Sequence, residues 1–189
     1  MANLVVFCGS SAGSSPSFRV AADALGTEIA AGGHRLVYGG GSVGLMGVVA
    51  DAAMAAGGEV VGVITEQLRA LEVGHDTLSE LVVESTMHER KARMATLADG
   101  VVVLPGGFGT YDEAFEILTW NQLGIVSMPV VFLDVDGFYE PLLEFVRNAS
   151  AAGFLKPDHA ALACRASTAA EAVAIATRPA AAFTPKWVG

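Results

Sequence analysis

Val101-Val102-Val103-Leu104-Pro105-Gly106-Gly107-Phe108-Gly109-Thr110-Tyr111-Asp112-Glu113 is the stretch on which the fold turns. Its first four residues are apolar and rich in β-branched side chains, which predicts a parallel strand buried on both faces. Further on, Ala114, Ile117, Leu118 and Asn121 recur at helical spacing, as far as Leu123. The glycines therefore occupy a strand-to-helix turn, where the backbone can bend sharply and present its N–H groups. A new helix adds its own unpaired N–H groups and the positive end of its dipole. Together these make a phosphate site. A second reading uses the same letters. Thr110-x-x-Glu113 has the form of a capping box, with Thr110 at N-cap and Glu113 at N3.

Working outward, the strand–turn–helix pattern recurs. Leu4–Cys8 predicts the first strand, Gly9–Ser14 a loop, and Ser15-Pro16 a helix start with its buried face at Phe18, Ala22, Leu25 and Ile29. Arg35–Tyr38 predicts the second strand. It is followed by a second glycine-rich turn, Gly39–Gly47, and an alanine-rich helix to Ala56. Glu59–Ile64 predicts a third strand, Thr65–Glu80 a loop with a short helix, and Leu81–Glu84 a fourth strand. Thr86-x-x-Glu89 opens the next helix as another capping box. Beyond the focal turn come a sixth strand at Pro129–Asp134 and a helical stripe of Phe138, Leu142, Phe145, Val146 and Ala149. A short strand near Ala161–Cys164 and a helix from Thr168 to Ala176 complete the pattern.

Strands alternating with helices predict an α/β fold: an open parallel sheet covered by helices on both faces. No repeat or linker divides the chain, so a single domain over residues 1–180 is expected, with a tail at 181–189. Ligands of such sheets bind beyond the carboxyl ends of the strands. The unusual turns after Cys8, Tyr38, Glu84 and Leu104 all lie there, which points to one shared pocket.

The formal net charge of −9 lacks the basic footprint of a nucleic-acid binder, while a small phosphorylated ligand needs only a local positive site. Cys8 and Cys164 form no CxxC pair, so neither a zinc nor a disulfide framework is indicated, and a cytoplasmic location is expected. The run Leu4–Cys8 is too short for a signal sequence. The apolar stretch Leu45–Ile64 is interrupted by Asp51, Gly57, Gly58 and Glu59, so no membrane span is expected. His34, His75 and His159 show no metal-ligand spacing, and no metal site is expected.

Gly39-x-Gly41-x-x-Gly44 matches the dinucleotide fingerprint, but it follows the second strand and lacks the acidic residue that should end the next one. A phosphate- or ribose-facing turn is the stronger reading there, with a merely tight turn beside it. Arg90 and Lys91 fall near the start of a helix, where the dipole disfavours cations by about 0.3–1 kcal/mol each. They call for an anion or for Glu113; a surface turn paired with Glu89 or Glu84 is the plain alternative. Glu116 lies three residues from Glu113, on the same helical face, and is read as solvated.

Met87-His88-Glu89-Arg90-Lys91 followed by Pro105–Thr110-x-x-Glu113 resembles the signature pair of the LONELY GUY (LOG) family, the cytokinin riboside 5′-monophosphate phosphoribohydrolases. Gly39-Gly40-Gly41-x-x-Gly44-Leu45-Met46-Gly47 and Thr119-Trp120-x-Gln122-Leu123-Gly124 extend the likeness, from the first strand to about Leu155. The resemblance implies a Rossmann-like homodimer that needs no cofactor. It implies hydrolysis of the N-glycosidic bond of an N6-substituted adenosine monophosphate to free base and ribose 5-phosphate. The signature arginine and glutamate fall on Arg90 and Glu113, the implied catalytic pair. Implied nucleotide contacts fall on Glu72, Lys91, the turn Gly106, Gly107, Phe108, Gly109 and Thr110, and Thr119, with Ser10, Gly41 and Met87 as pocket wall. Thr65 replaces the family's proline after Ile64. Relatives also carry the label lysine decarboxylase. A pyridoxal enzyme needs a Schiff-base lysine, and of Lys91, Lys156 and Lys186 the first is already matched to the nucleotide site. A general AMP nucleosidase and a nucleotide-binding or carrier module without turnover remain open.

Overall fold

The structure is a computed structural model that describes residues 1–180, apart from Val73, Asp76 and the side chain of Glu72. The expected tail, 181–189, lies outside the described residues. Among the described residues, seven strands form one sheet: β1 (Asn3–Phe7), β2 (Arg35–Tyr38), β3 (Val60–Thr65), β4 (Glu80–Glu84), β5 (Gly100–Val103), β6 (Val130–Leu133) and β7 (Ala163–Ala166). Their order is β4-β3-β2-β1-β5-β6-β7, and every pairing is parallel. The helices are α1 (Pro16–Ala31), α2 (Gly44–Ala55), α3 (Glu66–Glu72), α4 (Met87–Leu97), α5 (Phe108–Leu123), α6 (Glu140–Ala151), α7 (Pro157–Ala160) and α8 (Ala169–Ala176). This is the expected Rossmann-like, doubly wound single domain.

Successive strand residues point to opposite faces, so each apolar strand feeds two cores. Leu4, Val6, Leu36, Tyr38, Val102 and Leu104 meet α1, α2 and α8 through Leu25, Ile29, Val49, Ala53, Ala172 and Ala176. Val5, Phe7, Val37, Val63, Val101 and Val103 lie in the other core, with Met94 of α4, Ile117 of α5 and Leu143 of α6. On the first face the helices come closer than a methyl group allows. A Cβ on Gly26 of α1 would collide with the Val49 carbonyl of α2, and one on Gly100 of β5 with the Ala176 carbonyl of α8.

The chain reverses its direction of winding at β1, between β2 and β5. A crevice opens there beyond the strand ends. The two strand tips are tied: Leu104 N–H donates to the Phe7 carbonyl at 2.9 Å and Gly9 N–H to the Pro105 carbonyl at 3.0 Å.

Two expectations need correction. Helix α5 starts at Phe108 with Gly107 as N-cap, and no side chain caps it. Thr110 is therefore inside the first turn and Glu113 beyond it, so the Thr110–Glu113 capping box does not exist. The extended Gly107 backbone lets the helix begin at once, with Tyr111 N–H on the Gly107 carbonyl at 3.1 Å. The last strand lies at Ala163–Ala166, past the expected Ala161–Cys164. The short helix α7, with Pro157 in its first turn, precedes it, and Leu162 N–H closes back onto the His159 carbonyl at 3.2 Å. Among the described residues, no helix is long and apolar enough to cross a membrane.

Candidate active site

The site begins with the start of α4. Thr86 accepts a hydrogen bond from Glu89 N–H at 3.2 Å, and the Glu89 carboxylate accepts one from Thr86 N–H at 3.0 Å, the expected capping box. This cap occupies Glu89, and Glu84 pairs with Arg93 at 2.9 Å, so neither is left for Arg90. The Arg90 side chain instead turns inward, under the sheet tips, and is buried. Its Nε donates to the Val63 carbonyl at 2.8 Å, its Nη1 to Glu113 Oε1 at 2.7 Å, and its Nη2 to the Gly39 carbonyl at 3.5 Å. A side chain at Gly39 would occupy the place of the guanidinium. The surface-turn alternative for Arg90 is thereby excluded.

Glu113 projects from the second turn of α5, with 11% of its side chain exposed. Burial pushes its carboxyl above the ordinary range. The charge and hydrogen bond of Arg90 pull the other way without cancelling this, and Asp112 adds repulsion. Lys91 stands on the same two helices, bonded to Asp112 at 2.9 Å and to Glu116 at 3.3 Å. Burial would lower its pKa; the bonds to Asp112 and Glu116 outweigh that and raise it. Glu116 is thus a partner of Lys91, not the solvated residue expected.

A cleft of about 250 Å³ opens in front of the Arg90–Glu113 pair. One wall is the start of α5, Gly107 to Thr110, whose N–H groups point the way an anion needs. The opposite wall is apolar, made by Met46, Leu68 and Met87. Ser10, Met87, Arg90, Gly107, Phe108, Gly109, Thr110 and Glu113 share one cleft. Gly106 stands just behind it, against the Thr110 side chain and the Gly9 amide. Gly41 is set further back, bridged to Gly74. Glu72 ends α3, and its side chain lies outside the described residues. Thr119 is elsewhere. Its hydroxyl donates to the Phe115 carbonyl at 2.7 Å, and it lines a separate small cavity with Val146 and His159.

Sequence reasoning missed Cys8, Met46, Leu68 and Asp112 as cleft residues. Met46 lies inside a quoted motif and could have been found there. Leu68 sits in the least periodic segment and left no signal. Cys8 is buried beside Glu113, and both facts push its thiol up, which keeps it protonated and a poor nucleophile.

In the second glycine turn, Gly44 is fixed by packing. Gly44 adopts φ +63 where its Cα lies against the Ser10 carbonyl, and Leu45 N–H donates to the Gly9 carbonyl at 3.0 Å. The start of α2 is thus bonded into the β1 loop, and close packing accounts for Gly44.

Comparison with known proteins identifies the chain's family. A family model described as possible lysine decarboxylase matches residues 46–176. The probable cytokinin riboside 5′-monophosphate phosphoribohydrolase LOGL9 of Oryza sativa subsp. japonica is 52% identical over 154 residues, spanning 82% of this chain and 68% of that protein. The enzyme LOG of the same plant is 46% identical over 170 residues, 90% of this chain and 70% of that one. LOG1 of Arabidopsis thaliana is 44% identical over 170 residues, 90% and 80% of the two chains. Among solved structures, the molybdenum cofactor carrier protein of Chlamydomonas reinhardtii superposes with a TM-score of 0.69 at 25% identity, covering 92% of this chain and 94% of that one. The decarboxylase description finds no support, since Lys91 does not line the cleft and is already engaged by two carboxylates. With the Arg90–Glu113 pair in place and such identities along most of its length, the chain belongs to the LOG family of cytokinin riboside 5′-monophosphate phosphoribohydrolases.

Proposed function

We propose that the chain hydrolyses the N-glycosidic bond of N6-substituted adenosine 5′-monophosphates, releasing the free base and ribose 5-phosphate. The observation that carries this is the buried Arg90–Glu113 pair facing a helix start that no side chain caps. Phe108 and Glu113 are five residues apart on α5, roughly 8 Å along its axis. That is about the length of a ribose 5-phosphate. A phosphate held by the N–H groups of Gly107 to Thr110 therefore sets the sugar against the carboxylate.

As the bond from C1′ to the base nitrogen breaks, its electron pair leaves with the purine and positive charge grows on the sugar. A carboxylate beside the ring stabilises that charge and accepts a proton from the water that adds at C1′. The departing purine takes a proton from solvent and the carboxyl returns its own, so that base and enzyme both end in their starting charge states. A carboxyl held above its ordinary pKa is also a stronger base once ionised. Arg90 orients Glu113 through its 2.7 Å bond and is itself fixed by two backbone carbonyls. Met46, Leu68 and Met87 supply an apolar wall for the base and its substituent.

The assay is incubation with isopentenyladenosine monophosphate and, separately, AMP, with detection of free base. Release from the N6-substituted nucleotide is expected. Release from AMP alone makes the chain a general AMP nucleosidase, and binding without release makes it a carrier module.

The same reading makes the chain a homodimer in the cytoplasm. Thr119 lies 11 residues beyond Phe108, roughly 16 Å along α5 from the helix start, and lines a different cavity from the one that holds Glu113 of its own chain. If Thr119 touches nucleotide, a second copy presents it. Exposed Met87, Phe108 and Ile125 offer apolar surface for that copy, and the free thiols Cys8 and Cys164 suit a reducing compartment. Light scattering is expected to give twice the chain mass of 19.4 kDa. An active monomer at assay concentration overturns the dimer, and recovery of the native chain outside the cytoplasmic fraction overturns the location.

A further inference from the structure

Leu104 and Pro105 lead from β5 into the glycine turn, and each of their two carbonyls is held from a different side. The Pro105 carbonyl takes the Gly9 N–H at 3.0 Å. The Leu104 carbonyl takes the Tyr139 hydroxyl at 2.6 Å. No strand supplies that second bond, because β6 pairs with β5 only as far as Val103 opposite Phe132. Pro105 itself brings no N–H to the turn.

Tyr139 is 1% exposed, and everything about it fixes its hydroxyl. Its ring meets Phe132 and Phe138 edge to face, with centroids 5.0 Å away in each case. Its N–H donates to Asp134 Oδ1 at 2.7 Å, and the other oxygen of that buried carboxylate pairs with Arg165 at 2.6 Å. The intervening Asp136 and Gly137 both adopt positive φ, 54° and 75°, which bends the chain tightly between Asp134 and the tyrosine. Packing alone would be served by a phenylalanine, as at the two neighbouring positions. A buried hydroxyl must be desolvated, and a hydrogen-bond partner offsets that cost. The partner found is a carbonyl two residues before Gly106.

We infer that Tyr139 is a positioning residue for the phosphate grip. Its hydroxyl sets the plane of the Leu104-Pro105 peptide. That plane sets the direction in which Gly106 and Gly107 leave β5, and so where the first N–H groups of α5 point. The inference rests on the reading of that turn as the 5′-phosphate site, and no part of Tyr139 lines the cleft itself.

The test is Tyr139→Phe in the full chain. Calorimetric titration with ribose 5-phosphate is read beside kcat and KM for isopentenyladenosine monophosphate and for its nucleoside. Loss of one such hydrogen bond corresponds to about fivefold. The expected result is about fivefold weaker binding of ribose 5-phosphate, a KM for the nucleotide raised more than kcat falls, and a reduced preference for nucleotide over nucleoside. Phe132→Leu loosens the same ring while keeping the hydroxyl, and is expected to lower Tm without changing that preference. If Tyr139→Phe does not fold, Asp134→Asn takes its place. It keeps an oxygen for the Tyr139 N–H but loses the charge, so a smaller loss in the same direction is expected. Unchanged affinity in the variant tested, or an equal loss in Phe132→Leu, overturns the inference alone. A wild-type chain that binds neither ribose 5-phosphate nor nucleotide removes the phosphate reading itself, and the inference with it.

Discussion

Glu113→Gln is expected to keep its affinity for ribose 5-phosphate and to lose about 10²–10³-fold in kcat. The amide has the shape of the carboxylate and still offers Arg90 an oxygen, while Arg90 retains the Val63 and Gly39 carbonyls. The fold is therefore preserved, and what disappears is the negative charge that meets the growing positive charge on the sugar. The pH profile carries the same signature. Burial raises the folded-state pKa of Glu113, so its proton returns at a higher pH than an ordinary glutamate's. The acidic limb of kcat/KM is expected at a higher pH than an ordinary glutamate would give, and it is expected to vanish in the glutamine variant. The stability sign follows by linkage. A raised carboxyl binds its proton more tightly folded than unfolded. Its contribution is thus fullest below the unfolded pKa and is lost as pH rises through the folded one. Base release by Glu113→Gln at the wild-type rate would remove the carboxylate from the mechanism.

Arg90→Ala is expected to lose activity and about 3–5 kcal/mol of stability together, because it leaves a buried carboxylate without its partner and two carbonyls without their donor. Lys91→Ala removes ion pairs with Asp112 and Glu116, both carboxylates open in part to solvent, and is expected to cost about 1 kcal/mol. Arg90→Lys restores the charge, but an ammonium on a flexible stem cannot reproduce a fork that spans Val63, Gly39 and Glu113. It is expected to recover part of the Tm and little of the turnover. Thermal melts and kcat/KM for the three variants check this ordering. Equal, mild losses at positions 90 and 91 would return both residues to an ordinary helix surface.

The fold was legible because β1, β2 and β5 each carry an apolar run that ends in a glycine-rich turn. Arg90 and Glu113 were legible because a cation at a helix start needs an anion. The misreadings have physical causes. Thr110 and Glu113 have capping-box spacing, but an extended glycine at 107 let the helix start earlier and put both past the cap. Glu116 carries no mark that separates a solvated carboxylate from one tied to Lys91 across two helices. Leu68 and Tyr139 act through where the fold brings them. Tyr139 reaches a carbonyl 35 residues back along the chain, a distance no spacing rule detects.

The two faces of the sheet differ in how freely they can drift. Where α1 meets α2 at Gly26, and where α8 meets β5 at Gly100, peptide atoms already occupy the space that a methyl would need. No side chain there can yield, so either substitution must push whole backbone segments apart. Inherited variation is therefore expected to accumulate on the α4 and α5 side, where side chains separate helix from strand and can be exchanged for one another. New substrate preferences would then arise against a rear wall that stays still.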